Sequence, residues 1–310
     1  MDREGALPLI SYLMDGSLNR REAVDPPVEV LAPAIQRLPL VFASPHSGSD
    51  YPAEFLALSR LDPLTLRRSE DSFVDEIFGE GAAALGAPLL RARFPRAYLD
   101  PNREPFELDP AMFEDELPAF VNTRSPRVRV GLGTIARLVA TGEDIYARKL
   151  RFAEAMARID RLYRPYHRTL HQLLSQTRER FGSYLLIDCH SMPSGVGHGE
   201  RSARRGRTDI VLGDCHGTAC HPLIMETAHR HLTAKGYAVA RNTPYAGGFT
   251  TAHYGKPGTG GHCLQIEICR ALYMNERNFE RKDFMAQLAA DMRELAAGLA
   301  AIDFAVIAAA

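Results

Sequence analysis

The sequence predicts an α/β protein, a single three-layer α/β/α sandwich built on a mixed, mostly parallel sheet. Two observations carry this. Short apolar runs of strand length alternate with longer helical patterns, the signature of a sheet covered by helices on both faces. The composition, 45% hydrophobic and 24% charged over 310 residues, is that of an ordinary globular protein, not a disordered chain, a fibre or a coiled coil. No internal repeat or low-complexity linker divides the chain, so one domain over 1–310 is expected, with 1–37 as a lead-in segment.

The elements follow in order. The lead-in carries Pro26, Pro27 and Pro33 among polar residues, which leaves room for one edge strand. LPLVFAS (38–44) is too short for a helix and reads as a buried strand ending in a Pro-His-Ser-Gly turn. Residues 64–85 have helical spacing through Phe73, Val74, Ile77 and Phe78, with Gly86 as the cap. PLLRARFPRAYLD (88–100) reads as two short strands around Pro95. The region 142–181 is helical, with a kink or break at Pro165. Then come strands at 184–188, 209–213, 237–240 and 263–268, a helix over 219–235 and a last helix over 278–299. The apolar tail AIDFAVIAAA reads as the end of a packed helix.

Charge narrows the function. Lys plus Arg is 37 against 38 for Asp plus Glu, a net charge of -1, with no footprint for nucleic acid or an anionic membrane. No apolar run reaches the ~18 residues that span a bilayer. The start, MDREGALPLISYL, lacks the basic and then apolar pattern of a secretory signal. Five cysteines, odd in number and without a CxxC, fit a reducing, cytoplasmic setting. The partner expected is a small molecule, and a homo-oligomer is compatible with all of this.

In open α/β sheets, ligands collect beyond the carboxyl ends of strands. LPLVFAS is followed by His46, YLLI by Asp188-Cys189-His190, and RAYLD by Asn102-Arg103, while Glu267 sits inside the apolar run CLQIEI. A buried carboxylate is usually paired or bound to a metal. Two histidines, a further carboxylate and a separate Glu make up the composition of a catalytic zinc site, in which the separate acid deprotonates a water. The third ligand lies in RRSEDSFVDEIF. Spacing alone does not choose among Glu70, Asp71, Asp75 and Glu76, and Asp71 also suits a helix N-cap.

The strings SPHSG, SEDSFVDEIF, YLDPNREP, GLGTIAR, YRPYH, LIDCHSMPS, YGKPG and LQIEICRALYMNE, in this order from about Leu38 to Glu276, resemble the N-formylglutamate amidohydrolase family. That family is similar to the zinc carboxypeptidases and the aspartoacylase group, which share a phosphorylase/hydrolase-like fold. The resemblance implies a zinc-dependent hydrolysis of N-formyl-L-glutamate to formate and L-glutamate, in histidine degradation. It implies His46, Asp71 and His190 as zinc ligands, Glu267 as general base and acid, and Asn102-Arg103 as the carboxylate clamp. In the carboxypeptidase-like proteins the acidic ligand stands three residues after the first His. Here that position is Ser49 followed by Asp50, so Asp50 and Glu70 are rivals to Asp71.

An N-acyl amino acid with two carboxylates asks for more than one cation. Arg96, Arg137 and Arg241 are the further basic candidates, and Arg137 ends the GLGTIAR run. Thr250, His253 and Tyr254, in the Gly-rich stretch 242–258, could line the pocket and donate hydrogen bonds. ERSARRGR (200–207) reads as a solvated basic loop or a lid. The fragment GLG does not make a phosphate loop. His216 and His221 beside Cys215 and Cys220 lack structural-zinc spacing, and His167 and His171 read as a polar helix face. Two other readings stay open: a related deacylase or carboxypeptidase-like hydrolase acting on another N-acyl amino acid or peptide, and a catalytically silent dicarboxylate-binding protein. The buried Glu267 speaks against the second.

Overall fold

The computed structural model describes residues 19–21, 23–139, 142–195 and 208–304. Its strands are β1 (Asn19–Arg21), β2 (Val28–Leu31), β3 (Leu40–Ser44), β4 (Asp50–Pro52), β5 (Leu89–Ala92), β6 (Tyr184–Met192), β7 (Ile210–Gly213), β8 (Val239–Arg241) and β9 (Gly261–Cys269). Among the described residues, seven of them form one sheet in the order β2-β5-β3-β6-β9-β7-β8. The central β5, β3, β6 and β9 run parallel. At one edge β2 is antiparallel, and at the other β7 and β8 run together against β9. The α/β sandwich with a mixed, mostly parallel sheet is therefore the observed fold.

Alternation along each strand sorts its side chains to two faces. Leu40, Phe42, Leu185, Ile187, Leu264 and Ile266 pack under helices Val74–Leu85, Pro222–Ala234 and Phe284–Ala300. Val41, Ala43, Leu90, Leu186 and Cys263 face the long helix through Tyr163, Tyr166 and Leu170. A third cluster, around Leu108, Phe113, Ile135 and Leu150, fills the irregular segment between β5 and that helix. No described helix is long and apolar enough to cross a membrane.

Several elements differ from expectation. The expected helix over 64–85 is two helices, Pro63–Arg67 and Val74–Leu85, separated by the loop that carries Glu70 and Asp71. The side chains of Glu70, Asp71 and Ser72 turn inward to partners elsewhere, which a regular helix would not allow. Phe73, in the left-handed region at φ 68°, starts the second helix, so Asp71 is not its N-cap. Gly86 does close it, as expected. Residues 88–100 give one strand, with turns beyond it. Helical structure begins at Phe152, not at 142, and Pro165 neither breaks nor ends it. A widened turn over Ile159–Tyr163 runs directly into Arg164–Phe181, absorbing the N–H that proline lacks. β6 and β9 are longer than expected, and the lead-in does supply an edge strand, β2. The loop 200–207 and the tail beyond 304 lie outside the described residues.

Candidate active site

The carboxyl ends of β3, β6 and β9 lie side by side, and the chemistry sits there. His46 follows β3 through the turn Pro45-His46-Ser47-Gly48. A Cβ at Gly48 would fall 2.3 Å from the carbonyl oxygen of Phe94, so only glycine lets this turn pass so close to the neighbouring backbone. His190 and Glu267 are register partners on β6 and β9, as are Asp188 and Gln265. Pairing in register puts all four side chains on one face, at the rim of the sheet. Glu267 is thus on a central strand and buried.

Asp71 reaches the same point from its loop. Its backbone N–H donates to the carbonyl of His46 (3.0 Å), and Ser47 Oγ donates to its carbonyl (3.0 Å). One carboxylate oxygen, Oδ2, lies 3.2 Å from His46 Nδ1 and 3.1 Å from His190 Nδ1. Ligand atoms of His46, Asp71 and His190 all lie within 4.8 Å of one another, and among the described residues this is the one such group that could hold a metal ion. The rivals for the third position are engaged elsewhere. Glu70 accepts from Tyr51, Ser72 and Arg67, and Asp50 pairs with Arg93 at 2.7 Å. The Cys215–His221 segment forms no metal group, and His221 instead caps helix Pro222–Ala234.

The donor set itself fits a cation. His46 Nε2 lies 2.7 Å from Asp100 Oδ1, and His190 Nε2 lies 2.9 Å from Asp188 Oδ1. Each carboxylate takes the proton-bearing nitrogen, which leaves the Nδ1 lone pairs pointing at Asp71. Two imidazole nitrogens and a carboxylate oxygen converge there, a set that a proton or a positive ion can bridge. Burial disfavours a charged His190, but Asp188 and Asp71 outweigh it and hold its imidazole well above the ordinary histidine value. Zinc binding at pH 7 should therefore displace about one proton per site, and affinity should rise with pH. Calorimetry in buffers of different ionisation enthalpy measures this; binding without proton release would rule out a site that includes His190 Nδ1.

Asp71 is held well below the usual carboxylate range: burial opposes its charge, but His190, His46 and Arg270 prevail. Glu267 goes the other way. Burial first, and then the charges of Asp71 and Asp188, push its carboxyl up to about 7 against the pull of His190 and Arg96. Its Oε1 accepts a hydrogen bond from Gln265 Nε2 at 3.0 Å. A carboxylate poised near neutrality beside a candidate metal group can take up and return a proton.

These groups open into a cavity of about 470 Å³ whose lining includes Arg68, Arg96, Arg103, Arg127 and Arg270. Arg103 is buried, with Nε donating to the carbonyl of Leu132 (3.1 Å) and Nη1 to that of Asn102 (2.7 Å). Asp100 organises this corner: Oδ1 accepts the N–H of Asn102, closing a turn, and Oδ2 accepts from Arg96 at 2.7 Å. Asn102 is spent on the scaffold, with Oδ1 accepting Thr250 N–H (2.8 Å). A Cβ at Gly248 would sit 2.5 Å from that side chain, which explains the glycine there.

The structure gathers His46, Asp71, His190, Glu267, Asn102 and Arg103, but leaves five expected residues, Arg137, Arg241, Thr250, His253 and Tyr254, off the cavity wall. Arg137 pairs with Asp109 (2.9 Å) and Asp144 (2.8 Å), and Arg241 with Glu226. Thr250 is buried behind Asn102. The Tyr254 hydroxyl donates to His167 Nδ1 at 2.9 Å, and His167 Nε2 donates to the carbonyl of Pro101 at 2.8 Å. His167 is therefore not part of a solvated helix face. It braces the turn that bears Asn102 and Arg103, and burial lowers its imidazole to about 4. Sequence reasoning missed Asp100 and Asp188 as partners of the histidines, although each directly follows or ends an apolar run. It also missed Arg127 and Arg270.

Comparison with known proteins decides the family. The model of the N-formylglutamate amidohydrolase family matches residues 38–274. The chain belongs to that family. Relatives named N-formylglutamate deformylase are 28% identical: the one from Pseudomonas putida over 81% of this chain and 88% of its own length, the one from Pseudomonas aeruginosa over 88% and 97%. The crystal structure of N-formylglutamate amidohydrolase from Ralstonia eutropha JMP134 is 40% identical, with a TM-score of 0.79 over 87% of this chain and 95% of that one. A gene product of Agrobacterium tumefaciens, 20% identical, shares the fold with a TM-score of 0.61 over 92% of this chain and 98% of its own. Membership makes the chain an enzyme of the amidohydrolase class, as its residues and the resemblance implied.

Proposed function

We propose that this chain hydrolyses N-formyl-L-glutamate to formate and L-glutamate, using zinc held by His46, Asp71 and His190, as a cytoplasmic enzyme of histidine degradation. The observation that carries the reading is the register of β6 and β9, which sets Glu267 beside His190 at the mouth of an arginine-lined cavity. The names of the relatives support the formyl substrate.

The ion would acidify a water and polarise the formyl oxygen. The chain does the rest. Glu267 accepts the proton of the attacking water and returns it to the leaving nitrogen as the formyl C–N bond breaks, which balances one water against one amide. Asp100 and Asp188 hold the imidazoles in the tautomer that would leave both Nδ1 atoms to the ion. The Arg103 wall receives a substrate carboxylate, and Asn102 fixes its own turn to Thr250.

The deciding experiment is a screen of N-formyl-, N-acetyl- and N-succinyl-L-glutamate with the zinc-loaded protein, followed by detection of formate and free glutamate. Formate and glutamate in equal amounts, at a kcat/KM well above the other two substrates, is the expected outcome. Faster release of acetate or succinate would replace the formyl assignment.

A further inference from the structure

Resting on the formylglutamate reading, we propose that Arg127 is the residue that selects a second carboxylate on the substrate, and so sets the preference for a dicarboxylate. Arg103 and Arg127 stand on one wall of the cavity and are tied through a single residue. Leu132 accepts Arg103 Nε at its carbonyl (3.1 Å), while its N–H donates to the carbonyl of Arg127 (2.9 Å). Arg127 lies on the short helix Pro126–Arg129, capped by Ser125 and anchored by the buried Val128. Its backbone is fixed, and its exposed side chain has no hydrogen-bond or ion-pair partner among the described residues.

Charge on this wall is unbalanced. Asp100 already serves Arg96 at 2.7 Å, His46 at 2.7 Å and Arg103 at 3.8 Å, and among the described residues no acid pairs with Arg127. Burial, and then the cations Arg96 and Arg127, weaken the hold of Arg103 on its own proton despite Asp100 and Glu107. Two guanidinium groups on one wall, one of them with no ion-pair partner among the described residues, suit a ligand that brings two negative charges. A carboxylate on each satisfies both, since guanidinium and carboxylate match in a two-pronged bond. Arg68 is also exposed on the wall, but it stands with Arg270, whose Nη1 donates to its carbonyl at 2.9 Å. Arg270 has an acid, Asp71, at 3.0 Å.

The test compares N-formyl-L-glutamate with N-formyl-L-glutamine, which has the same shape and one charge fewer, in the zinc-loaded wild type, Arg127→Gln, Arg127→Lys and Arg68→Gln. In Arg127→Gln the preference for glutamate over glutamine should fall ~10- to 100-fold, the scale of one charge-assisted hydrogen bond. The loss should fall on the glutamate substrate, with partial recovery in Arg127→Lys. An unchanged preference, an equal loss on both substrates, or transfer of the effect to Arg68→Gln would overturn the assignment. A second readout separates this from the reaction itself. Calorimetry of glutarate against butyrate asks for dicarboxylate selection without turnover. A wild type that prefers glutarate, but does not hydrolyse N-formylglutamate, sinks the proposed reaction. Selection that survives in Arg127→Gln sinks the role of Arg127.

Discussion

Replacing Glu267 by Gln is expected to slow kcat by ~100-fold or more, the usual scale of general acid–base catalysis, while KM and metal content stay close to wild type. The side chain keeps its size and can still meet Gln265, so the pairing of β6 and β9 is undisturbed. What it loses is the ability to take a proton. Its buried position beside Asp71 and Asp188 raises its proton affinity to about 7, which suits a group that must both accept and return a proton near neutral pH. Steady-state kinetics with formate detection, together with metal analysis, check this. Loss of metal from the variant would make Glu267 a ligand. Near-normal turnover would make it a structural acid and move the base elsewhere.

His190→Ala is expected to strip the metal and abolish turnover. One of three ligand side chains disappears, and Asp188 is left buried without its partner at 2.9 Å. His46→Ala should behave alike, because it removes another ligand side chain and with it the partner of Asp100 at 2.7 Å. Asp188→Asn gives a graded version. It keeps the ligand but weakens the group that orients it, and should lower zinc affinity ~10- to 100-fold. Metal analysis after dialysis and competition with a chromogenic chelator measure both. Full occupancy and full activity in both histidine variants would exclude this group as the metal site. Thermal unfolding of each metal-free variant against the metal-free wild type tells loss of the ion from loss of the fold.

Much of the candidate site was legible because few structural roles account for these residue types in these places. A Glu in the middle of CLQIEI and a His after each of two apolar runs have few structural explanations, and all three meet at the sheet rim. Arg137, Thr250 and Tyr254 were less legible. An arginine, a threonine or a tyrosine near a site serves equally as an ion pair, a buried backbone partner or a brace, and one-dimensional proximity does not tell these apart. The same ambiguity hid His167, whose helical spacing with His171 resembled a solvated face.

The sandwich and the residue types of the candidate centre follow from local patterns along the chain. Strand and helix periods are local properties, and the strings resembling the family preserve their order along the chain. Which carboxylate joins the histidines was decided only by tertiary structure. Asp50, Glu70 and Asp71 are chemically equivalent on paper, but Arg93 holds the first and Tyr51 and Ser72 hold the second. Asp71 is the one that the broken helix brings between two imidazoles. The same holds for the arginines. Whether a guanidinium is free or already satisfied depends on which acids the fold brings near it, and those acids come from distant parts of the chain.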